Sequence, residues 1–134
     1  MEKIIDFLNA NPKGWLATID ENGMPRNRPF LFLLDLHNRL FWGTDNTKEV
    51  YRQLMTHPYI EFGSTSTNFV TIRIRGEVLF SENREVKRIA WEKYELLKKI
   101  FETDDNPNWE VFYMEHGEAV INDFSGMKPE IIRF

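Results

Sequence analysis

Pro25-Arg-Asn-Arg-Pro-Phe-Leu-Phe-Leu-Leu-Asp-Leu36 alternates polar and apolar residues at its start and is nearly all apolar from Phe30 to Leu34. That is the pattern of a β-strand wet on one face in its first half and buried on both faces in its second. On its N-terminal side, Asp20-Glu-Asn-Gly23 carries the Asn-Gly pair that favours a tight hairpin, so Trp15 to Asp20 reads as the preceding strand. On its other side, Asp35 to Asn38 turns the chain back into a strand at Arg39 to Trp42. Further strands are expected at Tyr59 to Ser64, Phe69 to Ser81, Val111 to Glu115, Glu118 to Phe124 and Glu130 to Phe134, with Gly117 and Ser125-Gly126 as turns.

Three helices complete the reading. Ile4, Ile5, Phe7 and Leu8 share a face of a short one that Asn11-Pro-Lys-Gly14 closes. Lys48 to Met55 presents Val50, Tyr51, Leu54 and Met55 together and stops at His57-Pro58. Asn83 to Thr103 is one long helix, with Val86, Ile89, Ala90, Tyr94, Leu97 and Phe101 at helical spacing, lying against the sheet. Seven or eight mostly adjacent antiparallel strands with short turns make a mainly β protein with helices, a barrel or sandwich, because closing a sheet removes its sticky edges.

The chain has 134 residues, the size of one compact domain over residues 1–134, with 14% aromatics and a net charge of -4. Neither half is basic, which argues against a nucleic-acid partner or an anionic membrane surface. No stretch approaches the ~20 apolar residues of a membrane span. The N-terminus lacks the uninterrupted apolar run of a signal peptide, so a cytoplasmic protein is expected. With no Cys there are no disulfides, no thiolate chemistry and no zinc site that needs sulfur.

Gly-rich phosphate loops and a nucleophile elbow are missing. His37, His57 and His116 fall in separate turns and read as solvated residues, so no metal site is expected. Glu61 and Glu77 read as cross-strand surface charge. What remains is Arg26 and Arg28 on one face of a strand, together with Thr44, Asn46, Thr47 and Lys48 before a helix. A helix N-terminus gathers unpaired N–H groups, and guanidinium and ammonium groups beside it make a phosphate site. Asn46-x-x-Glu49 also fits a capping box, which would account for these polar residues without a ligand. Both readings stand at this point.

Trp15-Leu-Ala-Thr18, Asn22-Gly-Met-Pro-Arg-Asn-Arg-Pro-Phe30, Arg39-Leu-Phe-Trp-Gly-Thr44, Thr47-Lys48, His57-Pro58 and Ile72-Arg-Ile-Arg-Gly-Glu77, in that order, resemble the pyridoxamine 5′-phosphate oxidase-like family of flavin-binding split barrels. The likeness is to its nitroimidazole-reductase and general stress protein branches and covers nearly the whole chain. It implies a six- to eight-stranded antiparallel Greek-key split barrel forming a homodimer, with FMN at the subunit interface. It also implies an FMN phosphate near Arg28, Asn46, Thr47 and Lys48, with Arg28, Pro29, Phe30 and Leu31 running along the flavin and Trp42, Gly43 and Thr44 bordering the ribityl chain. Trp109, with Phe112 and Tyr113, is a candidate to cover the partner chain's flavin, or an ordinary core residue. Arg73 and Arg75 are surface ion-pairing residues unless they reach the ligand's anionic end. Asp45 departs from what a phosphate site wants, unless it turns away to cap the helix.

The activity so implied is an oxidoreductase in which FMN passes hydride or electrons between a reduced nicotinamide or small substrate and an acceptor, with no catalytic side chain required. Pyridoxine phosphate oxidases themselves carry an Arg and His pair near the C-terminus. Here Ser125 to Phe134 has Arg133 and no His. Related groups use a deazaflavin or haem, and a non-enzymatic flavin-binding or redox-stress module is the alternative from another class.

Overall fold

The computed structural model describes residues 1–134 as four helices and nine strands. In chain order these are α1 (Glu2–Ala10), β1 (Lys13–Ile19), β2 (Pro25–Leu36), β3 (Arg39–Asp45), α2 (Glu49–Thr56), β4 (Tyr59–Thr65), β5 (Thr71–Glu77), β6 (Leu79–Ser81), α3 (Arg84–Lys93), α4 (Glu95–Phe101), β7 (Trp109–Met114), β8 (Glu118–Asn122) and β9 (Glu130–Arg133). All pairings are antiparallel, in the order β6-β7-β3-β2-β1-β4-β5-β8-β9.

The ninth strand arises where the sequence predicts one strand over Phe69 to Ser81. The chain breaks at Val78, a buried residue whose N–H donates to Pro58 O at 2.8 Å. Before the break, β5 pairs with β4 and β8; after it, β6 pairs with β7 at the far end of the order. β2 changes partners in the same way. Its residues 25–31 pair with β1, while Phe32 to Leu36 pair with β3, and a bulge at Leu33 lies just past the changeover. An extra residue bends a strand and lets it turn a corner between two sheets. The two halves of the sheet therefore share strands at their margins and curve around one interior.

That interior is filled by Leu16, Phe32, Trp42, Phe62, Ile72 and Phe112, with α1 adding Ile4 and Leu8 and α2 adding Val50 and Leu54. A second apolar layer lies on the outer face of β2, β3 and β7. There Leu33, Leu34, Phe41, Trp109 and Val111 pack against Val86 and Ala90 of α3 and Leu97 and Phe101 of α4. Each Val, Leu, Ile or Phe side chain among these contributes roughly 1.5–3 kcal/mol by leaving water.

The expected single helix over Asn83 to Thr103 is two. Tyr94 separates them in an extended conformation, φ −124° and ψ 112°. No Pro or Gly marks the place; the break is made by tertiary bonds. Tyr94 Oη donates to Phe32 O at 2.9 Å and Lys93 Nζ donates to Leu33 O at 2.8 Å, both carbonyls at the bulge of β2.

The β1–β2 connection is a five-residue loop, since Ile19 pairs with Pro25, rather than the two-residue turn that Asn22-Gly23 suggests. Gly23 supplies the positive φ of 76°. Buried Asp20 organises the loop: Oδ1 accepts the N–H groups of Asn22 and Met24, each at 2.9 Å, and Oδ2 accepts Arg26 Nε at 2.8 Å. The Met24 N–H bond, then Asn22 and Arg26, hold the Asp20 carboxyl below its ordinary pKa. A carboxyl depressed on folding stabilises above its unfolded pKa, and the gain is lost as pH falls through the folded value. Asp20→Asn should therefore lower the melting temperature at neutral pH, with the difference from wild type shrinking below about pH 4, as melts across an acid pH series would show.

Candidate functional site

A cleft of about 560 Å³ opens between the first half of β2, the end of β3, the start of α2 and α4. Its lining includes Arg28, Pro29, Phe30, Leu31, Gly43, Thr44, Thr47 and Lys48, eight of the residues singled out in the sequence. The cleft is two-natured. Arg28, Lys48 and Arg52 outnumber the Asp45 and Glu49 carboxylates where β2 and β3 meet the start of α2, and Leu33, Leu96 and Ile100 add an apolar wall from β2 and α4.

Residues 25–31 of β2 pair with β1 on one edge, whereas pairing with β3 begins at Phe32. The opposite edge of that segment is open, so backbone groups between Arg28 and Leu31 remain available to a ligand. Gly43 lets Trp109 and Leu33 pack close against β3: a Cβ there would stand 2.9 Å from Trp109 Nε1 and 3.2 Å from Leu33 Cδ1.

Arg28 is half-buried, and burial pulls its guanidinium pKa down from the ordinary value, with the Glu49 carboxylate opposing that fall. Asp45, the unfavourable acid, turns aside. Its Oδ1 accepts Thr47 Oγ1 at 2.6 Å and the Thr47 N–H at 2.8 Å, and those bonds, with Lys48 nearby, hold its carboxyl below the usual range. Thr47 thus lines the cleft with its hydroxyl proton directed to Asp45.

The capping box that the Asn46-x-x-Glu49 spacing allows does not form. Lys48 occupies the N-cap of α2 with no side-chain cap bond. Asn46 instead donates through Nδ2 to Pro107 O at 3.0 Å and Glu110 Oε1 at 3.2 Å, tying the loop to β7. The polar residues before α2 are therefore not accounted for by capping, and Asn46 does not line the cleft.

Two of the tryptophans singled out in the sequence have buried side chains. Trp42 is fully buried among Phe32, Phe62 and Phe112, so only its backbone lies near Gly43. Trp109 is fully buried in the outer layer, stacked on Phe101 at 5.3 Å between centroids, which places it in the core rather than over another chain's ligand. Phe112 fills the interior and Tyr113 lies under the Arg39 guanidinium.

Residues the sequence reading left out also shape the cleft. Leu96 and Ile100 are half-exposed large apolar residues one helical turn apart on α4. Their spacing was a visible signal, masked because Leu97 and Phe101 already explain the helix as core-packing. Thr18 and Gln53, buried beneath Arg28, carry no pattern that sequence could reveal.

The remaining candidates lie apart. Glu61 is registered with Arg75 and Glu77 with Tyr59, so the two acids do not oppose each other. Arg73 pairs with Glu61 at 3.6 Å, and Arg75 and Arg133 both pair with Glu118, as exposed ion pairs. No histidine lines the cleft. A separate concavity of about 600 Å³ lies on the outer face of β1, β4 and β5, beside Ala17, Ile19 and exposed Tyr59. No helix of the structure is long and apolar enough to cross a membrane.

The family model of pyridoxamine 5′-phosphate oxidase matches residues 1–118. A NimC/NimA family protein from Clostridium acetobutylicum is similar in structure at a TM-score of 0.88 and 30% identity, over 100% of this chain and 92% of that one. A pyridoxamine 5′-phosphate oxidase-related, FMN-binding protein from Nostoc punctiforme superposes at 0.69 with 14% identity, over 99% and 95% of the two chains. A heme-binding protein from Mycobacterium smegmatis does so at 0.77 with 16% identity, over 93% of this chain and 54% of that one. The split-barrel architecture is thus shared. No curated protein matches.

Proposed function

Since the chain belongs to the pyridoxamine 5′-phosphate oxidase family, we propose that it is an FMN-dependent oxidoreductase acting as a homodimer. The observation that carries this is the cleft itself, which joins an excess of cationic groups to an apolar wall along an open strand edge. A phosphate needs charge and donors, and a flavin ring needs flat apolar contact with polar groups along one edge. Arg28 and Lys48 would hold the phosphate, the β2 edge from Arg28 to Leu31 would meet the ring's polar rim, and Gly43 and Thr44 would border the chain between them. When bound, FMN supplies two-electron redox chemistry, taking hydride from a reduced nicotinamide or small substrate and passing electrons to an acceptor.

This chain's part is to bind, orient and exclude water. The cleft has no His, Cys, Tyr or Met among its lining residues, so it offers no usual axial ligand to a haem. Arg133, the only arginine near the C-terminal end, is paired with Glu118 away from the cleft, which speaks against a second phosphate grip for pyridoxine phosphate as substrate.

The sheet face carrying exposed Trp15 and Tyr59 and the 600 Å³ concavity is the surface we assign to the partner subunit. Bulky aromatics there suit a protein–protein contact. Sedimentation of FMN-loaded protein should show a dimer; a flavin-loaded monomer would contradict a shared site. The cofactor is tested by adding FMN to purified protein and following its visible spectrum. Lys48→Ala should weaken FMN binding by about 1–3 kcal/mol if its ammonium pairs with the phosphate. An unchanged dissociation constant would remove Lys48 from the site, and failure of reduced nicotinamide to bleach the bound flavin would favour a non-enzymatic flavin module.

A further inference from the structure

Thr18 and Gln53 are polar residues with only 2% and 7% exposure, one on β1 and the other on α2, and they meet at Arg28 of β2. Gln53 Oε1 accepts Thr18 Oγ1 at 2.5 Å and Arg28 Nη2 at 2.8 Å. Arg28 Nη1 donates to Thr18 Oγ1 at 2.6 Å and to Leu16 O at 3.3 Å. The hydrogen-bond directions are fixed. Arg28 can only donate, so Thr18 receives from it and passes its own proton to Gln53. A reversed Gln53 amide would set an NH₂ group against a cation and a hydroxyl proton, so one orientation survives.

The consequence lies in what is left over. Three of the five guanidinium N–H groups are used on the barrel side, leaving Nε–H and one Nη2–H without a partner in this chain, on a residue that lines the cleft. Burying a cation is costly, and an apolar trio would fill the same space more cheaply, so a network of this kind points to a task beyond packing. Its three members also join β1, β2 and α2, so they fix Arg28 relative to Lys48 at the start of the same helix that carries Gln53.

We infer that Thr18 and Gln53 are positioning residues that lock the Arg28 guanidinium so that its free edge meets the phosphate of the bound flavin. This rests on the proposed reading of the cleft and deepens it. A guanidinium already held in place loses less rotamer freedom when it grips an anion, and a fork grips a phosphate through two donors at once.

The test compares FMN with riboflavin, which lacks the phosphate, by titrating each against quenching of flavin fluorescence. Wild type should prefer FMN. Gln53→Leu and Thr18→Val should each lose about tenfold in FMN affinity with riboflavin affinity unchanged, so that the preference itself falls. Thr18→Ser, which keeps the hydroxyl, should retain the wild-type preference. Should Gln53→Leu not fold, Gln53→Met, which keeps the side-chain length and removes the acceptor, should show the same loss of preference.

A wild type that prefers FMN alongside folded variants with an unchanged ratio overturns the positioning role and leaves the cleft reading intact. Equal losses for both flavins overturn it as well, since they mark a general loosening. A wild type that binds neither flavin overturns the cleft reading, and the positioning role with it.

Discussion

Gly14→Ala is expected to destabilise the protein by about 3 kcal/mol, at the top of the usual range for overpacking. A Cβ at Gly14 would lie 2.2 Å from Gly63 O and 2.6 Å from Phe62 Cζ. Neither neighbour can retreat. Gly63 sits in the middle of β4, paired with Trp15 on one side and Arg73 on the other, and Phe62 is fully buried in the interior. Relief requires β1 and β4 to part, and these strands hold the centre of the sheet order. Urea unfolding would give the cost directly. Gly23→Ala is the control: nothing lies within 4 Å of its Cβ, and only its φ of 76° is at stake, for roughly 1–2 kcal/mol. A Gly14 variant no less stable than the Gly23 variant would contradict the clash.

Trp42→Ala should cost about 3–5 kcal/mol, the range for emptying a buried aromatic site. Its ring stands 5.8 Å from Phe32, 5.5 Å from Phe62 and 6.1 Å from Phe112 between centroids, so its loss leaves a hole bounded by three rings. Trp42→Phe should cost far less. Trp42 Nε1 is buried with no hydrogen-bond partner, and removing an unsatisfied donor returns about 1–3 kcal/mol against the lost volume. Equal costs for the two variants in calorimetry would show that the indole N–H is satisfied after all. Because the side chain points into the interior, Trp42→Phe should also leave FMN affinity at its wild-type value.

Much of the fold was legible because it is written in short-range patterns. The bounds of β2 follow from alternation giving way to an apolar run, and Pro25 to Leu36 is the strand found. The two breaks that complete the fold were not legible. Val78 and Tyr94 continue the strand and helix patterns around them, and each is set by a bond to a residue distant in sequence, Pro58 and Phe32.

The site divides likewise. Arg28 and Lys48 announce themselves by charge beside a strand and a helix start, and the cleft brings them together. The apparent capping box misled because Asn46 finds its partners 61 and 64 residues away, beyond what spacing can express. Trp42 lies two residues from Leu40 on β3, and the strand period puts both side chains in the interior.

The bulge of β2 and the break between α3 and α4 are joined by Lys93 and Tyr94. Strand kink and helix kink therefore form a matched set, like a key cut for one lock. Lengthening α3 by a single residue would swing both donors about 100° around the axis, away from those carbonyls. Insertions in this chain should accordingly be tolerated in the surface loop after Phe101 and rejected between Arg84 and Tyr94.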